Sequence, residues 1–208
     1  MVSARARRRP NSYHHGDLRA GLVDAGIRLV EEEGVEALKL RVLERRVGVS
    51  HTAPYNHFAD RTALLAAIAA EGYRRLSDNL VKRMAPFDRR PARQLQESGI
   101  AYVGFAIRHP GLFRLMFSSA LADKSLHVEL QTAARGTFEV LTGALGRAGA
   151  PKRRGAAEIA PLVSWALVHG LAVLVLDRQF GFYATPARAE ELAREVTEVL
   201  WQGLSSGG

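Results

Sequence analysis

The sequence predicts an all-α protein. Apolar residues recur at intervals of three and four through most of the chain, and turn signals are widely spaced. No strand pattern and no internal repeat stands out. Hydrophobic residues make up 47% of the 208 positions, enough for a packed core, and 24% are charged.

About nine helices follow from the pattern. Residues 1–12 are basic, include Pro10 and lack an apolar period, so they read as a flexible arm. The first helix is expected from Asp17 to Glu33, with Leu18, Leu22, Ala25, Leu29 and Val30 at helical spacing and Gly34 as its stop. Gly21 and Gly26 weaken it by roughly 1 kcal/mol each, which packing must offset. A second helix covers Leu40 to Val47, and Gly48-Val49-Ser50 makes a turn. A short third helix is expected over His51–His57, capped by Ser50, with Pro54 still in its first turn. Asp60 caps a long helix to Met84, which Pro86 ends. Pro91 starts the next, and His109-Pro110 stops it. Further helices are expected over Leu112–Phe117, over 123–146 with Leu126, Leu130, Ala134, Phe138, Leu141 and Leu145 on one side, and over Glu158–Phe180. Thr185-Pro186 caps and starts the last one. The tail, 205–208, reads as flexible. The pattern divides the chain into an arm (1–12), a first helical unit (13–60) and a second helical unit (61–204).

Composition narrows the function classes. The formal net charge is +8, which suits a polyanionic partner. Arg5, Arg7, Arg8 and Arg9 cluster without an acid among them. This arm either enters a DNA minor groove or only raises nonspecific affinity. The absence of cysteine excludes disulfides and thiolate metal sites, and the adjacent His14-His15 pair has no metal-ligand spacing. No apolar stretch follows the basic N-terminus, so a cytoplasmic location is expected. Leu162–Leu176 is apolar except for Ser164 and His169, shorter than the roughly 20 residues of a membrane span. It reads as a buried helix, and no membrane partner is expected. No nucleophile–base spacing, phosphate-cradling Gly loop or metal cluster points to an enzyme or a cofactor.

Two short helices around a Gly turn match the geometry of a helix-turn-helix, although many helical hairpins share that spacing. The second helix would turn Thr52, Ala53 and Asn56 toward base edges. Tyr55 and His57 would bond phosphates, with Arg41 and Arg61 flanking. Ser50 and His51 complete the candidate DNA face. The run Val49-Ser50-His51-Thr52-Ala53-Pro54-Tyr55-Asn56-His57-Phe58-Ala59-Asp60-Arg61, followed by Leu64-Leu65, resembles the signature of the TetR family of bacterial regulators. His15-Gly16-Asp17-Leu18-Arg19 resembles the start of that family's first helix. The resemblance covers about residues 13–75. It implies a three-helix DNA-binding domain followed by a helical domain that binds a small molecule and dimerises. By position it assigns phosphate contacts to Tyr55, His57 and Arg61, and base contacts to Thr52, Ala53 and Asn56. Glu44 stands where the family carries a small buried residue, and Val47 is also larger than usual. A carboxylate there must reach solvent or find a partner, with Arg41 one turn back the expected one.

In the second half, Trp165-Ala166-Leu167-Val168-His169-Gly170 resembles a Trp–His–Gly motif of one C-terminal subgroup of the family. A helix apolar on nearly every side needs cover on nearly every side, which packing on its own domain and on a twin subunit together supplies. Leu167, Leu171, Leu174 and Val175, with Leu192, Val196, Val199 and Leu200 of the last helix, are the expected dimer interface. Tyr102, Phe105, Phe113, Phe117, Phe138 and Trp165 either surround a ligand cavity or are ordinary core. His169 joins that set as a ligand contact or, the favoured reading, a satisfied structural histidine. The resulting expectation is a homodimeric repressor on a palindromic operator, released by a small apolar or aromatic ligand. The alternatives are a DNA-binding protein without an effector and an activator.

Overall fold

In the computed structural model, which describes residues 18–149, 158–179, 181 and 185–205, there are eight α-helices and no strand among the described residues. Helix α1 (Leu18–Glu33), α2 (Leu40–Val47) and the start of α3 (Arg61–Met84) enclose Leu22, Leu29, Leu38, Leu43, Phe58, Leu64 and Ile68, each 3% exposed or less. Gly26 lies where α1 packs against α3, and a Cβ there would overlap the Ile68 side chain. Close packing is thus what the helix receives for its lost propensity. Helix α2 stops at Gly48, whose left-handed backbone (φ 76°, ψ 35°) carries no Cβ strain. The Gly48 and Val49 amides both return to the Glu44 carbonyl, at 2.9 and 3.1 Å. Asp60 Oδ1 caps α3 by accepting from the Ala63 amide at 2.8 Å.

The expected third helix is not an α-helix. Residues 51–53 form a turn, and Pro54–Asn56 a single 3-10 turn that starts from Ala53 with no side-chain cap. Pro54 has no N–H to offer, so the Ser50 carbonyl takes the Ala53 amide at 3.1 Å. Asn56 and His57 also bond three residues back, at 3.3 and 3.0 Å. This replaces one of the about nine helices expected, leaving eight.

Helix α3 continues into the second half and packs on α4 (Pro91–Arg108), α5 (Pro110–Met116) and α6 (Val128–Ala148). Helix α4 is the centre, flanked also by α7 (Ala160–Leu176) and α8 (Pro186–Ser205), and every residue from Gln94 to Ala106 is buried. Its buried polar groups are therefore paired. Glu97, 2% exposed, accepts from Arg83 Nε at 2.5 Å and Arg93 Nη2 at 2.7 Å. The first amides of α5, on Gly111 and Leu112, donate to the Glu31 carboxylate of α1 at 3.0 and 3.1 Å. Helix α6 starts later than expected. Asp123 accepts from the Ser125 amide at 3.0 Å and begins a separate 3-10 turn, which leaves Leu126 75% exposed and off the inner stripe. Thr185 Oγ1 accepts from the Arg188 amide at 3.3 Å at the start of α8. No helix among the described residues is long and apolar enough to cross a membrane. The arginine arm, Arg5 to Arg9, lies outside the described residues, as does His14-His15.

Candidate nucleic-acid interface and ligand cavity

The turn after α2 presents Ser50, His51, Thr52, Tyr55, Asn56 and His57 to solvent, with Ala53 half-buried. Pro54 and Phe58 point inward and anchor this segment. On α2, Arg46 is tied to Glu32 (2.6 Å) and Glu33 of α1, whereas Arg41 and Arg45 are exposed and join no ion pair among the described residues. Their spacing of four puts both on one helix face, a signal that would have added Arg45 to the candidate set. Arg61 is engaged differently from expectation. Its Nε donates to the Leu38 carbonyl and its Nη2 to the Val35 carbonyl, each at 2.8 Å. The guanidinium clamps the α1–α2 connection to the start of α3 while its side chain stays 40% exposed.

Glu44 does not pair with Arg41. It is 9% exposed, and both its oxygens stand 2.9 Å from His51 Nδ1. The partner comes from beyond the Gly48 turn, a direction that spacing within one helix cannot reveal. The His51 ring also meets Tyr55 edge-on, 5.9 Å between centroids. The carboxylate therefore fixes the imidazole, with Nδ1 turned inward toward Glu44.

A cavity of about 300 Å³ lies between α3, α4, α6, α7 and α8. Of the expected aromatic residues, Tyr102, Phe117, Phe138 and Trp165 line it. Phe105, Phe113 and His169 do not. Phe105 packs against His109 at 4.9 Å and faces a second, polar hollow beside Arg75 and Lys82. Phe113 is 2% exposed, and His169 stands behind the wall, 4.4 Å from the Phe117 ring centre. Two bonds organise this wall in sequence. Trp165 Nε1 donates to the Tyr102 hydroxyl at 3.3 Å, and that hydroxyl shares a hydrogen bond of 2.9 Å with His169 Nδ1. Burial lowers its pKa and raises that of Tyr102 far above the ordinary phenol range, so both stay neutral.

Sequence reasoning did not assign several lining groups: Ser98, Lys124, Thr137, Ser164 and Thr197. Ser164 was visible as one of two polar residues in an apolar run. Lys124 lies in the 3-10 turn before α6, a stretch that periodicity assigns to the helix over 123–146.

The residues expected at a dimer interface divide. Leu171 and Val175 are 7% and 5% exposed and belong to this chain's own core, so they are not available to a partner. Leu192 and Val196 pack against that core, and Leu200 lines the cavity. Leu167 is half-buried. Leu174 (42%) and Val199 (68%) are exposed, as are Ile159, Leu162, Val163 and Val173 at or before α7.

Two family profiles match the chain. One, described as the C-terminal domain of tetracycline repressor-like proteins, covers residues 95–200. The other, described as bacterial regulatory proteins of the tetR family, covers residues 22–68. An uncharacterised HTH-type transcriptional regulator, YobS of Bacillus subtilis, is 29% identical over 92 residues, 44% of this chain. That match spans 47% of the relative, about half its length. A structure of a protein of unknown function from Rhodococcus sp. RHA1 is 30% identical, covers 95% of this chain and 100% of its own, and superposes with a TM-score of 0.80. FadR of Bacillus subtilis in complex with stearoyl-CoA shares the fold at 14% identity, covering 89% and 98% of the two chains, with a TM-score of 0.69.

Proposed function

Because the chain belongs to the TetR family of bacterial regulatory proteins, we propose that it is a homodimeric DNA-binding transcriptional regulator, a repressor released from a palindromic operator by a small apolar or aromatic ligand. One observation carries this reading. The exposed polar segment from Ser50 to His57 is packed, through Phe58 and Leu64, onto the same α3 helix whose Tyr73, Leu76 and Leu80 wall the cavity. A ligand that binds two positions of α3 unequally shifts the equilibrium between them, and so moves the segment that reads DNA. That fold relative FadR holds stearoyl-CoA supports a ligand-binding second half. The exposed apolar residues on α7 and α8 support a self-complementary interface. Such a dimer would set two reading segments about 34–36 Å apart, in successive major grooves.

The test is anisotropy titration of the purified protein against DNA selected from a random pool. A repressor of this kind selects two-fold-symmetric sites, and its affinity falls steeply with salt. Tyr55→Ala weakens binding to all sequences alike, whereas Asn56→Ala changes sequence preference. Failure to enrich any symmetric site, together with salt-insensitive binding, would refute the reading.

A further inference from the structure

The cavity's polar groups define the class of molecule it accepts, provided it is the ligand site proposed above. Among the described residues, no carboxylate, amide or guanidinium lines it. Most lining hydroxyls already spend their protons on the protein. Ser98 Oγ donates to the Leu95 carbonyl at 2.7 Å, and Thr197 Oγ1 to Ala193 at 2.7 Å. Thr137 Oγ1 donates to Tyr73 at 2.9 Å, and the Tyr73 hydroxyl to Met116 at 3.2 Å. Tyr102 is committed to His169, as described.

Two donors remain. Ser164 Oγ is buried and has no partner among the described residues. Lys124 is half-buried, its Nζ 5.5 Å from the Tyr73 ring centre and 5.8 Å from that of Phe117, and it joins no ion pair among the described residues. An ammonium resting on two aromatic faces has lost hydration without gaining a counter-ion. Burial lowers its pKa accordingly, which an anion beside it would reverse.

We propose that the cavity binds an aromatic or apolar carboxylate, its anionic group on Lys124 and a second acceptor lone pair on Ser164. The volume of about 300 Å³ equals that of roughly ten waters, which limits the molecule to on the order of ten to fifteen non-hydrogen atoms. Neutral molecules of the same shape leave the ammonium unpaired. Cations meet a like charge and no carboxylate, so they are excluded.

The experiment uses three probes of one shape and three head groups: 4-phenylbutanoate, 4-phenylbutanamide and 4-phenylbutylamine. Each is titrated calorimetrically into the full-length protein. The carboxylate binds about tenfold or more tightly than the amide, and the amine binds weakest. K124M brings the carboxylate-to-amide ratio near one and K124R restores it, with thermal unfolding confirming that each variant is folded. S164A weakens carboxylate and amide together. An amide as tight as the carboxylate, or a ratio that survives K124M, overturns the ligand class while leaving the cavity as the effector site. A carboxylate that depends on Lys124 but leaves operator affinity unchanged sustains the class and overturns the effector role. Absence of binding by all three probes at millimolar concentration overturns both.

Discussion

The Glu44–His51 pair predicts an asymmetric result when its members are removed one at a time. Glu44 has a side chain 11% exposed, and His51 Nδ1 is its hydrogen-bond partner. Truncating His51 strands a buried carboxylate, which costs about 1–3 kcal/mol. The His51 side chain is itself 59% exposed, so its removal admits water, and the cost falls at the low end, about 1 kcal/mol. For a chain of this size that lowers the melting temperature by about 2–4 °C. Glu44→Ala removes the charge together with its need for a partner and should stay within about 0.5 kcal/mol of wild type. His51→Ala made on the Glu44→Ala background should then cost under about 0.5 kcal/mol, which leaves a coupling of about 0.5–1 kcal/mol between the positions. Urea unfolding of the four proteins at one protein concentration measures this, since dimerisation would otherwise enter the comparison. Equal costs of His51→Ala in both backgrounds, or a Glu44→Ala loss larger than that of His51→Ala, would refute the argument.

Arg61→Lys keeps the charge but cannot span the Val35 and Leu38 carbonyls, each 2.8 Å from the guanidinium; stability should fall by about 1–2 kcal/mol in urea unfolding. Unchanged stability with a large loss of DNA affinity would return Arg61 to the phosphate role. The pair Arg83 and Arg93 should be strongly non-additive, because either alone still holds the buried Glu97. Each single change to Met should cost about 1 kcal/mol and the double change about 3–5 kcal/mol, read by the same unfolding assay. Burial lowers the His169 pKa, so below about pH 6.5 the unfolded chain takes up protons that the folded chain refuses. The stabilisation is complete above that pH and is lost as pH falls toward the depressed native value. His169→Asn should therefore flatten the dependence of the urea midpoint on pH between 7 and 5, whereas an unchanged slope would mean that the ring does not titrate with folding.

How much of this was legible depended on whether a residue's fate is local. The Leu40–Val47 helix, its Gly48 stop and the Asp60 cap are local, and periodicity with turn chemistry located each of them. The Pro54 segment is also local, but the choice between an α-helical and a 3-10 turn there hangs on one missing amide. The cavity wall is not local. Helix α4 is buried all round from Gln94 to Ala106, so its sequence does not say that Tyr102 faces the cavity while Phe105 faces away. Leu171 and Val175 were misread for the same reason: on an all-apolar helix the core face and the exposed face look alike. Lys124 reaches the cavity from the 3-10 turn before α6, and only the packing of Tyr73 and Phe117 brings it there.

Glu31 gives the molecule a second mechanical linkage besides the long α3 helix. Its carboxylate grips the leading end of α5, while Phe117, one residue past the trailing end, stands in the cavity wall. Helix α1 is pinned elsewhere along its length by the tight seat of Gly26 on Ile68. Under the proposed function, a ligand that displaces Phe117 would be felt at Glu31, and so at the helix-turn-helix half, through one seven-residue helix.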